Sequence, residues 1–177
     1  MTYAPLMVDR NVVVVGEEIL ALRAVAELSR IATQVTLVAE RPGELDAPMA
    51  RRILKASNVV VKRDARVLEV KGDQYARSIV IKMGTDQEEI PTDAIFVEKR
   101  LIPNSRLVEG LVDLDPCGFI NVDSRNRTSR PGLFAAGDVT TSSAFQVLMG
   151  LGDGEKAALS AYDYLLGLGA VELQPCD

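Results

Sequence analysis

The sequence contains no histidine. Histidine is the usual general base beside a serine or cysteine nucleophile, and it is a frequent ligand of zinc and other transition metals. The absence of histidine therefore excludes Ser-His and Cys-His hydrolytic mechanisms, and it excludes histidine-ligated metal sites. We predict no metal site in this chain.

Cysteine is scarce, with two residues in the chain, Cys117 and Cys176. They lie far apart in the sequence and do not form the C-x-x-C pair of a dithiol redox centre. Residues 115–118 have the composition of a turn, so Cys117 is expected to be an exposed thiol. Cys176 belongs to the last residues, where a thiol shuttling on a mobile tail is a conceivable alternative. Because there is no dithiol, the chain alone is not expected to reduce disulfides, and no catalytic residue is predicted in it.

Long hydrophobic runs are also missing. No stretch approaches the roughly 20 apolar residues that span a bilayer, and no signal peptide opens the chain. A net charge of -5 argues against nucleic acid or an anionic membrane surface as a partner. The 177 residues, 47% of them hydrophobic, suffice for the core of one or two small domains. A soluble cytoplasmic protein is the expectation.

The N-terminal part of the sequence alternates between strand and helix patterns. Residues 12–15 are all valine, which is typical of a strand buried on both faces. The other predicted elements are helices over 17–32 and 47–57, strands over 34–38, 59–61, 65–70, 78–83 and 94–97, and turns at 71–73 and 84–86. This order predicts an α/β fold, with a Rossmann-like domain of three layers (ββα) over residues 11–98 behind a leader of residues 1–10.

The turn after the first predicted strand, residues 16–21, reads Gly-Glu-Glu-Ile-Leu-Ala. A dinucleotide-binding turn has the pattern G-x-G-x-x-G or G-x-G-x-x-A, and its second glycine lets the pyrophosphate approach the backbone. Here Glu18 replaces that glycine. The carboxylates of Glu17 and Glu18 would each stabilise the amino terminus of the following helix by about 0.3–1 kcal/mol through the helix dipole. At about 5 Å and an effective dielectric near 20, each would repel a phosphate charge by roughly 3 kcal/mol. A turn capped by its own acids is therefore favoured, and Gly16 is a weak candidate contact for a nicotinamide cofactor.

The end of the second predicted strand offers one more candidate for that cofactor. In dinucleotide-binding folds, an acid about 20 residues beyond the first glycine holds the ribose hydroxyls of NAD. Glu40 lies near that distance and is the weak candidate here. Only Arg41 beside it is basic, whereas NADPH sites carry several basic residues in this region. If a nicotinamide cofactor binds at all, which is doubtful, NAD(H) is favoured over NADP(H).

A second motif lies near the C-terminus. Residues 133–136 are an apolar run that ends at Gly137 and Asp138, as a buried strand followed by a turn would. Glycine permits close approach to the backbone, and aspartate provides an acceptor at the same point. Residues 155–166 have apolar side chains at spacings of three and four, which predicts a helix with a buried face that includes Tyr162 and Leu165. The pattern alone does not distinguish a ligand-binding turn from a structural turn capped by Asp138.

Residues 130–166 resemble the flavin-closing segment of the pyridine nucleotide-disulfide oxidoreductases, in particular of thioredoxin reductases and the flavoprotein component of alkyl hydroperoxide reductases. In that family a Pro-Gly-x-Phe-Ala-Ala-Gly-Asp strand delivers its aspartate to the ribityl chain of FAD. A following Gln-Val or Gln-Ile pair opens a helix whose backbone faces the flavin ring, and a helix amino terminus stabilises an anionic reduced flavin. The family usually has a basic residue where this chain has Phe145. The resemblance implies FAD contacts at Gly137, Asp138, Gln146 and Val147.

Residues 98–104 resemble the hinge of the same family, in which a strand is followed by Gly-x-x-Pro-Asn. Pro103 and Asn104 match, whereas Arg100 stands in place of the glycine. In the family this loop lies near the nicotinamide, so a long cationic side chain is a second mark against hydride transfer from NAD(P)H. The resemblance implies that residues 99–169 form the C-terminal half of an FAD-binding domain, followed by a tail of residues 170–177.

The resemblance extends from about Pro5 to Gly167, but a full family member is longer. It has an N-terminal FAD half that binds adenine and pyrophosphate, and its redox C-x-x-C lies just before the strand that starts here at Asn11. The chain is therefore expected to be a C-terminal portion or split subunit of a thioredoxin-reductase-like flavoprotein oxidoreductase, contributing half of an FAD site. A partner chain or a missing region would supply the other half, in a homo- or hetero-oligomer such as a dimer.

Two alternatives stay open. The chain is a degenerate nucleotide-binding module that acts in dimerisation or regulation without catalysis, which the altered glycine turn, Arg100 and the missing dithiol favour. Otherwise the flavin half receives electrons from a protein donor such as ferredoxin, as in some thioredoxin-reductase relatives, and the nicotinamide site has been discarded.

Overall fold

The computed structural model describes residues 4–141 and 145–167. The chain divides into two compact units, Met1–Arg100 and Leu101–Asp177. In the part of the chain that is described, no helix is both long and apolar enough to cross a bilayer. The functional assignment of the two parts, with a nucleotide-binding-like domain over 11–98 and an FAD half over 99–169, stays a prediction. The predicted tail of residues 170–177, with Cys176, lies outside the described residues.

The first unit combines a parallel sheet, its crossover helices and an antiparallel meander. The parallel sheet has the strand order β3-β2-β1-β7, and the meander has the order β4-β5-β6. Helix α1 connects β1 to β2, and α2 connects β2 to β3, as in a Rossmann-like fold. The elements are β1 (Asn11–Val15), α1 (Ile19–Leu28), β2 (Gln34–Val38), α2 (Pro48–Ile53), β3 (Val59–Lys62), β4 (Ala65–Gly72), β5 (Ala76–Met83), β6 (Asp86–Pro91) and β7 (Ala94–Val97).

Strand β1 is buried on both faces, as its valines predict. Val12 and Val14 belong to the core cluster that includes α1 and α2. The alternate pair, Val13 and Val15, belongs to a second cluster that includes the inner residues of β5. Helices, parallel sheet and meander are therefore the three layers of this unit. The predicted α/β fold with a Rossmann-like parallel sheet is confirmed.

The meander contains one strand that the sequence analysis missed, β6 (Asp86–Pro91). Its sequence, Asp-Gln-Glu-Glu-Ile-Pro, lacks the alternation of apolar and polar side chains that identifies a half-buried strand. Pairing with β5 and charged contacts hold it instead. Glu88 lies 2.8 Å from the Lys62 ammonium, and Glu89 lies 2.7 Å from the Lys71 ammonium. Tertiary contacts here override a weak local propensity.

Helices α1 and α2 are shorter than predicted, and the carboxyl end of α1 has a side-chain partner from outside the helix. Glu17 and Glu18 precede α1, and the helix ends at Leu28, where Ser29 is the C-cap. The side-chain amide of Asn58 donates hydrogen bonds of 3.0 Å to the carbonyl oxygens of Ser29 and Ala32. Asn58 thus satisfies carbonyl groups that the end of a helix leaves without partners.

The second unit contains short 3-10 turns (Arg106–Val108 and Gly137–Val139), isolated bridges and helix α3 (Val147–Gly167). The predicted buried strand at residues 133–136 is not a strand, since it takes part only in the single bridge Arg127↔Phe134 and is half-buried. An apolar run needs paired neighbours to become a strand. Helix α3 begins at Val147, well before residue 155, where the apolar spacing placed it, and at the Gln146-Val147 pair, where the family resemblance placed it. Cys117 is a free, exposed thiol, as its turn-like surroundings predict.

We expect Asn58→Ala to lower the free energy of unfolding by about 1–3 kcal/mol, because two carbonyl groups at the end of α1 lose their donor. Urea unfolding followed by circular dichroism measures this change. Asn121→Ala is the matched control, since the Asn121 side chain is exposed and makes no hydrogen bond in the described part of the chain. Equal stability of the two variants would contradict the capping role of Asn58.

Candidate functional site

The Gly137–Asp138 corner is a tight turn held by the residue that follows it. Ala136 is extended, and Gly137 has a φ of 74°, a conformation that favours glycine. The Thr140 amide donates to the Gly137 carbonyl oxygen at 3.0 Å, and the Thr140 hydroxyl donates to the same oxygen at 2.8 Å. Thr140 is fully buried, whereas Asp138 is exposed. The turn therefore fixes its backbone and presents Asp138 outward.

The amino end of α3 lies beside this corner. A Cβ built on Gly137 would be 3.8 Å from the Cα of Gly150, in the first turn of α3. The Gly150 amide donates to the Gln146 carbonyl oxygen at 3.0 Å. The amide groups of residues 147–149 precede this bond and have no acceptor within the helix. A helix end of this kind attracts negative charge.

All the predicted flavin contacts lie in the second unit. Asp138 and Gln146 are exposed, and the side chain of Asp138 has no hydrogen bond or ion pair in the described part of the chain. An exposed acceptor beside a helix amino end fits the polar chain and the anionic ring of a reduced flavin. Gly137, Asp138, Gln146 and Val147 therefore stay predicted FAD contacts.

Helix α3 packs against its own unit through two polar residues and one aromatic residue. The buried polar residues are Asp153, which pairs with Lys156 at 2.8 Å, and Ser160, whose hydroxyl donates to the Arg125 carbonyl oxygen at 2.6 Å. The aromatic residue is Tyr164, whose ring lies edge-on to that of Phe134 at 6.1 Å. Most of the other large apolar residues point the other way and are exposed, among them Val147, Leu148, Leu151, Leu159, Tyr162, Leu165 and Leu166. The prediction that Tyr162 and Leu165 lie on a buried face is thus wrong for this chain by itself. The sequence identifies the apolar face correctly, but the described residues do not cover it.

The first unit also has a candidate site, at the carboxyl ends of its parallel strands. We call it the nucleotide edge and define it as residues 16–18, 40–45 and 98–100. Gly16 is required there for packing, because a Cβ would collide with the Glu98 carbonyl oxygen and lie 2.9 Å from the Ala21 Cβ. Burial raises the pKa of the Glu98 carboxyl, since its charged form is partly desolvated. Gly16, the predicted candidate, therefore allows the end of β1 to pack closely against α1 and against the residue that follows β7.

Glu17 is almost fully buried at this edge and is paired within the chain. Its Oε1 lies 3.0 Å from Nη2 of Arg41 and accepts a hydrogen bond of 3.1 Å from Nε of the same residue. Its Oε2 is buried and has no hydrogen-bond partner in the described part of the chain. Sequence reasoning identified the acid at the turn but missed the cation that neutralises it.

The other acids of the nucleotide edge also face cations. Glu40, the predicted ribose-binding acid, lies 3.3 Å from the Lys99 ammonium through Oε2 and 3.8 Å from Nε of Arg66 through Oε1. Glu18 is the N-cap residue of α1 without a capping hydrogen bond, and its Oε1 lies 4.0 Å from Nε of Arg100. The acids and cations of this edge are therefore paired with one another, and a pyrophosphate would have to compete with the carboxylates for the cations.

The first unit has the layers and crossover order of a Rossmann-like nucleotide-binding fold, and the second carries a glycine-aspartate corner beside a helix end. The sequence profile of the pyridine nucleotide-disulphide oxidoreductases matches residues 3–157. The chain belongs to this family, as its motifs predict.

The chain is similar in sequence to much longer proteins. It is 40% identical over 173 residues to the F component of alkyl hydroperoxide reductase from Pseudomonas aeruginosa, a match that covers 95% of this chain and 33% of that protein. It is 34% identical over 165 residues to an NADH dehydrogenase from Bacillus subtilis, a match that covers 92% of this chain and 32% of that protein. The chain therefore spans about a third of the length of these relatives.

Solved structures of thioredoxin reductases share the fold. The enzyme from Streptococcus pyogenes superposes with a TM-score of 0.78 at 26% identity, over 93% of this chain and 55% of that one. The enzyme from T. acidophilum superposes with a TM-score of 0.69 at 32% identity, over 93% of this chain and 56% of that one. The predicted likeness to thioredoxin reductases and alkyl hydroperoxide reductase flavoproteins is confirmed.

We expect Thr140→Val to lower the free energy of unfolding of the second unit by about 0.5–1.5 kcal/mol, because the Gly137 carbonyl oxygen loses its hydroxyl donor and keeps only the Thr140 amide, while the side-chain shape is kept. Guanidinium unfolding of the full chain measures the change. Thr141→Val makes the same substitution at an exposed neighbour and should change stability by less than about 0.5 kcal/mol. If the two variants unfold alike, the hydroxyl of Thr140 does not hold the corner.

Proposed function

We propose that this chain forms the ribityl- and ring-facing part of an FAD site in a thioredoxin-reductase-like flavoprotein oxidoreductase. The observation that carries the proposal is the exposed Asp138 beside the amino end of α3. Family membership and the named relatives support the same cofactor class. FAD would accept electrons and pass them to a disulfide or a similar acceptor.

The residues of the corner have distinct roles in this proposal. Asp138 would accept a hydrogen bond from a ribityl hydroxyl group, which its exposed carboxylate can do without displacing a protein donor. The backbone at Gln146 and Val147 would face the flavin ring, where the helix end stabilises negative charge. Gly137 would allow the cofactor to approach the backbone, since it has no side chain.

The apolar face of α3 supports the need for a partner segment. A 21-residue helix that buries polar residues and exposes most of its leucines leaves apolar surface in water, at about 25 cal/mol per Å². We propose that an N-terminal FAD half covers this face, either on a partner chain or on a segment outside this sequence. The named relatives are long enough to contain such a half, because this chain matches only about a third of them. The complete site would then belong to a homo- or hetero-oligomer.

A second candidate function is supported by the nucleotide edge. Its acids are paired within the chain, as expected of a nucleotide-binding module that now acts in dimerisation or regulation. In that case, the corner would hold no flavin, and the exposed face of α3 would be an interface between protein chains.

The visible absorption spectrum distinguishes the two candidates. We expect the chain alone to be colourless, and the chain assembled with its N-terminal FAD half, produced from an adjacent reading frame or from a named relative, to show the bands of bound flavin. An assembled complex that stays colourless when FAD is supplied would favour the regulatory function and overturn the flavin proposal.

Asp138→Ala tests the corner itself. We expect the assembled form to retain FAD at least about tenfold more weakly, because a charged acceptor for the ribityl chain is lost. The readout is flavin fluorescence released on dilution, with Asp113→Ala as the control that removes an exposed carboxylate elsewhere in the same unit. Retention of flavin by Asp138→Ala at the level of the control would show that the assigned role is wrong.

A further inference from the structure

We infer that the nucleotide edge of the first unit is filled by the chain's own charged groups and does not take a pyridine nucleotide. The inference is independent of the flavin proposal, because it concerns the other unit and needs no cofactor. It rests on three observations: the ion pair of Glu17, the loop that lies against Glu17, and the ion pairs that Glu40 and Glu18 each make with cations of the chain.

Glu17 stands in the place of a ligand at the glycine turn. Glu17 is 5% exposed, and Arg41 contacts the Oε1 atom of Glu17 through both Nε and Nη2. A phosphate arriving here would compete with Glu17 for Arg41 and would face the negative charge of Glu17 at the same time. Among the described residues, none donates to the buried Oε2 of Glu17, and a phosphate diester, which has only acceptor oxygens at neutral pH, cannot provide a donor.

The loop after β2 closes over the same turn. The Glu44 amide donates to the Glu17 carbonyl oxygen at 2.8 Å. Gly43 has a φ of 48°, and a Cβ built on it would lie 2.7 Å from the Cβ of Glu17. Only glycine permits this approach, so the loop backbone lies directly against Glu17. The loop therefore holds Glu17 in its buried position at the turn, where the pyrophosphate of a dinucleotide would bind.

The acid that would hold a ribose is also engaged. Both carboxylate oxygens of Glu40 have a cationic neighbour, Lys99 at 3.3 Å and Arg66 at 3.8 Å. Arg100 lies within 4.0 Å of Glu18. A ribose hydroxyl, which is a neutral donor, would have to share the Glu40 carboxylate with two cations.

This arrangement predicts a gain of binding when the acids are removed. Glu17→Ala combined with Glu18→Gly restores a second glycine to the turn and leaves Arg41 as an unpaired cation beside the amino end of α1. Each removed carboxylate takes away its repulsion of a phosphate charge, roughly 3 kcal/mol at about 5 Å. Even half of this energy corresponds to about a tenfold change in affinity. The double variant is expected to bind NADH at least about 100-fold more tightly than the original chain.

The test is a titration of the full chain, without flavin, with NADH and with NADPH, followed by nucleotide fluorescence. The original chain should show no saturable binding. The control Glu44→Gln should show none either, since it neutralises a side chain of the loop and keeps the backbone hydrogen bond of that loop to Glu17. Glu17→Gln combined with Glu18→Gln keeps the side-chain shapes, and it serves as the decisive variant if the alanine-glycine pair fails to fold. Circular dichroism verifies folding in each case.

Two results would overturn the inference. Saturable micromolar binding of either nucleotide by the original chain would show that the edge is open. A folded variant without Glu17 and Glu18 carboxylates that binds no better than Glu44→Gln would show that these acids do not exclude the nucleotide. Neither result bears on flavin retention at Asp138, so failure here and failure of the flavin proposal are distinguishable.

Discussion

The first unit depends on a strand that cannot face water on either side. The valines of β1 alternate between two separate clusters, so helices must cover one face of the parallel sheet and the meander the other. Because the strand is enclosed, the chain that leaves it at Gly16 emerges into a crowded space beside the Glu98 carbonyl group. The position of the nucleotide edge therefore follows from the burial of β1.

The two candidate sites of this chain differ in how their charges are satisfied. At the nucleotide edge, Glu17 and Glu40 have cationic partners within the chain, so a ligand would have to break existing ion pairs. At the Gly137–Asp138 corner, the backbone is held by Thr140, whereas the carboxylate is exposed and has no partner in the part of the chain that is described. The first arrangement suits a structural role, and the second leaves the Asp138 carboxylate accessible to the ligand that we propose for it.

The sequence predicted what local patterns determine and missed what depends on the path of the chain. The valine run and the motif around Asp138 were readable because each is short and specific. Strand β6 was missed because its polar residues are held by β5 and by lysines distant in sequence. The contact of Arg41 with Glu17 was missed because it requires the loop after β2 to fold back over the turn, which no spacing in the sequence reveals.

Helix α3 has a consequence for the life of the protein in the cell. Its leucine-rich face, with Val147 81% exposed, is the kind of surface that chaperones and proteases recognise in unfinished proteins. Copies of the chain whose α3 stays uncovered would be degraded, whereas copies whose α3 is covered by the proposed N-terminal FAD half would persist. The amount of this chain in the cell would then follow the amount of that half, without separate regulation of the synthesis of the two.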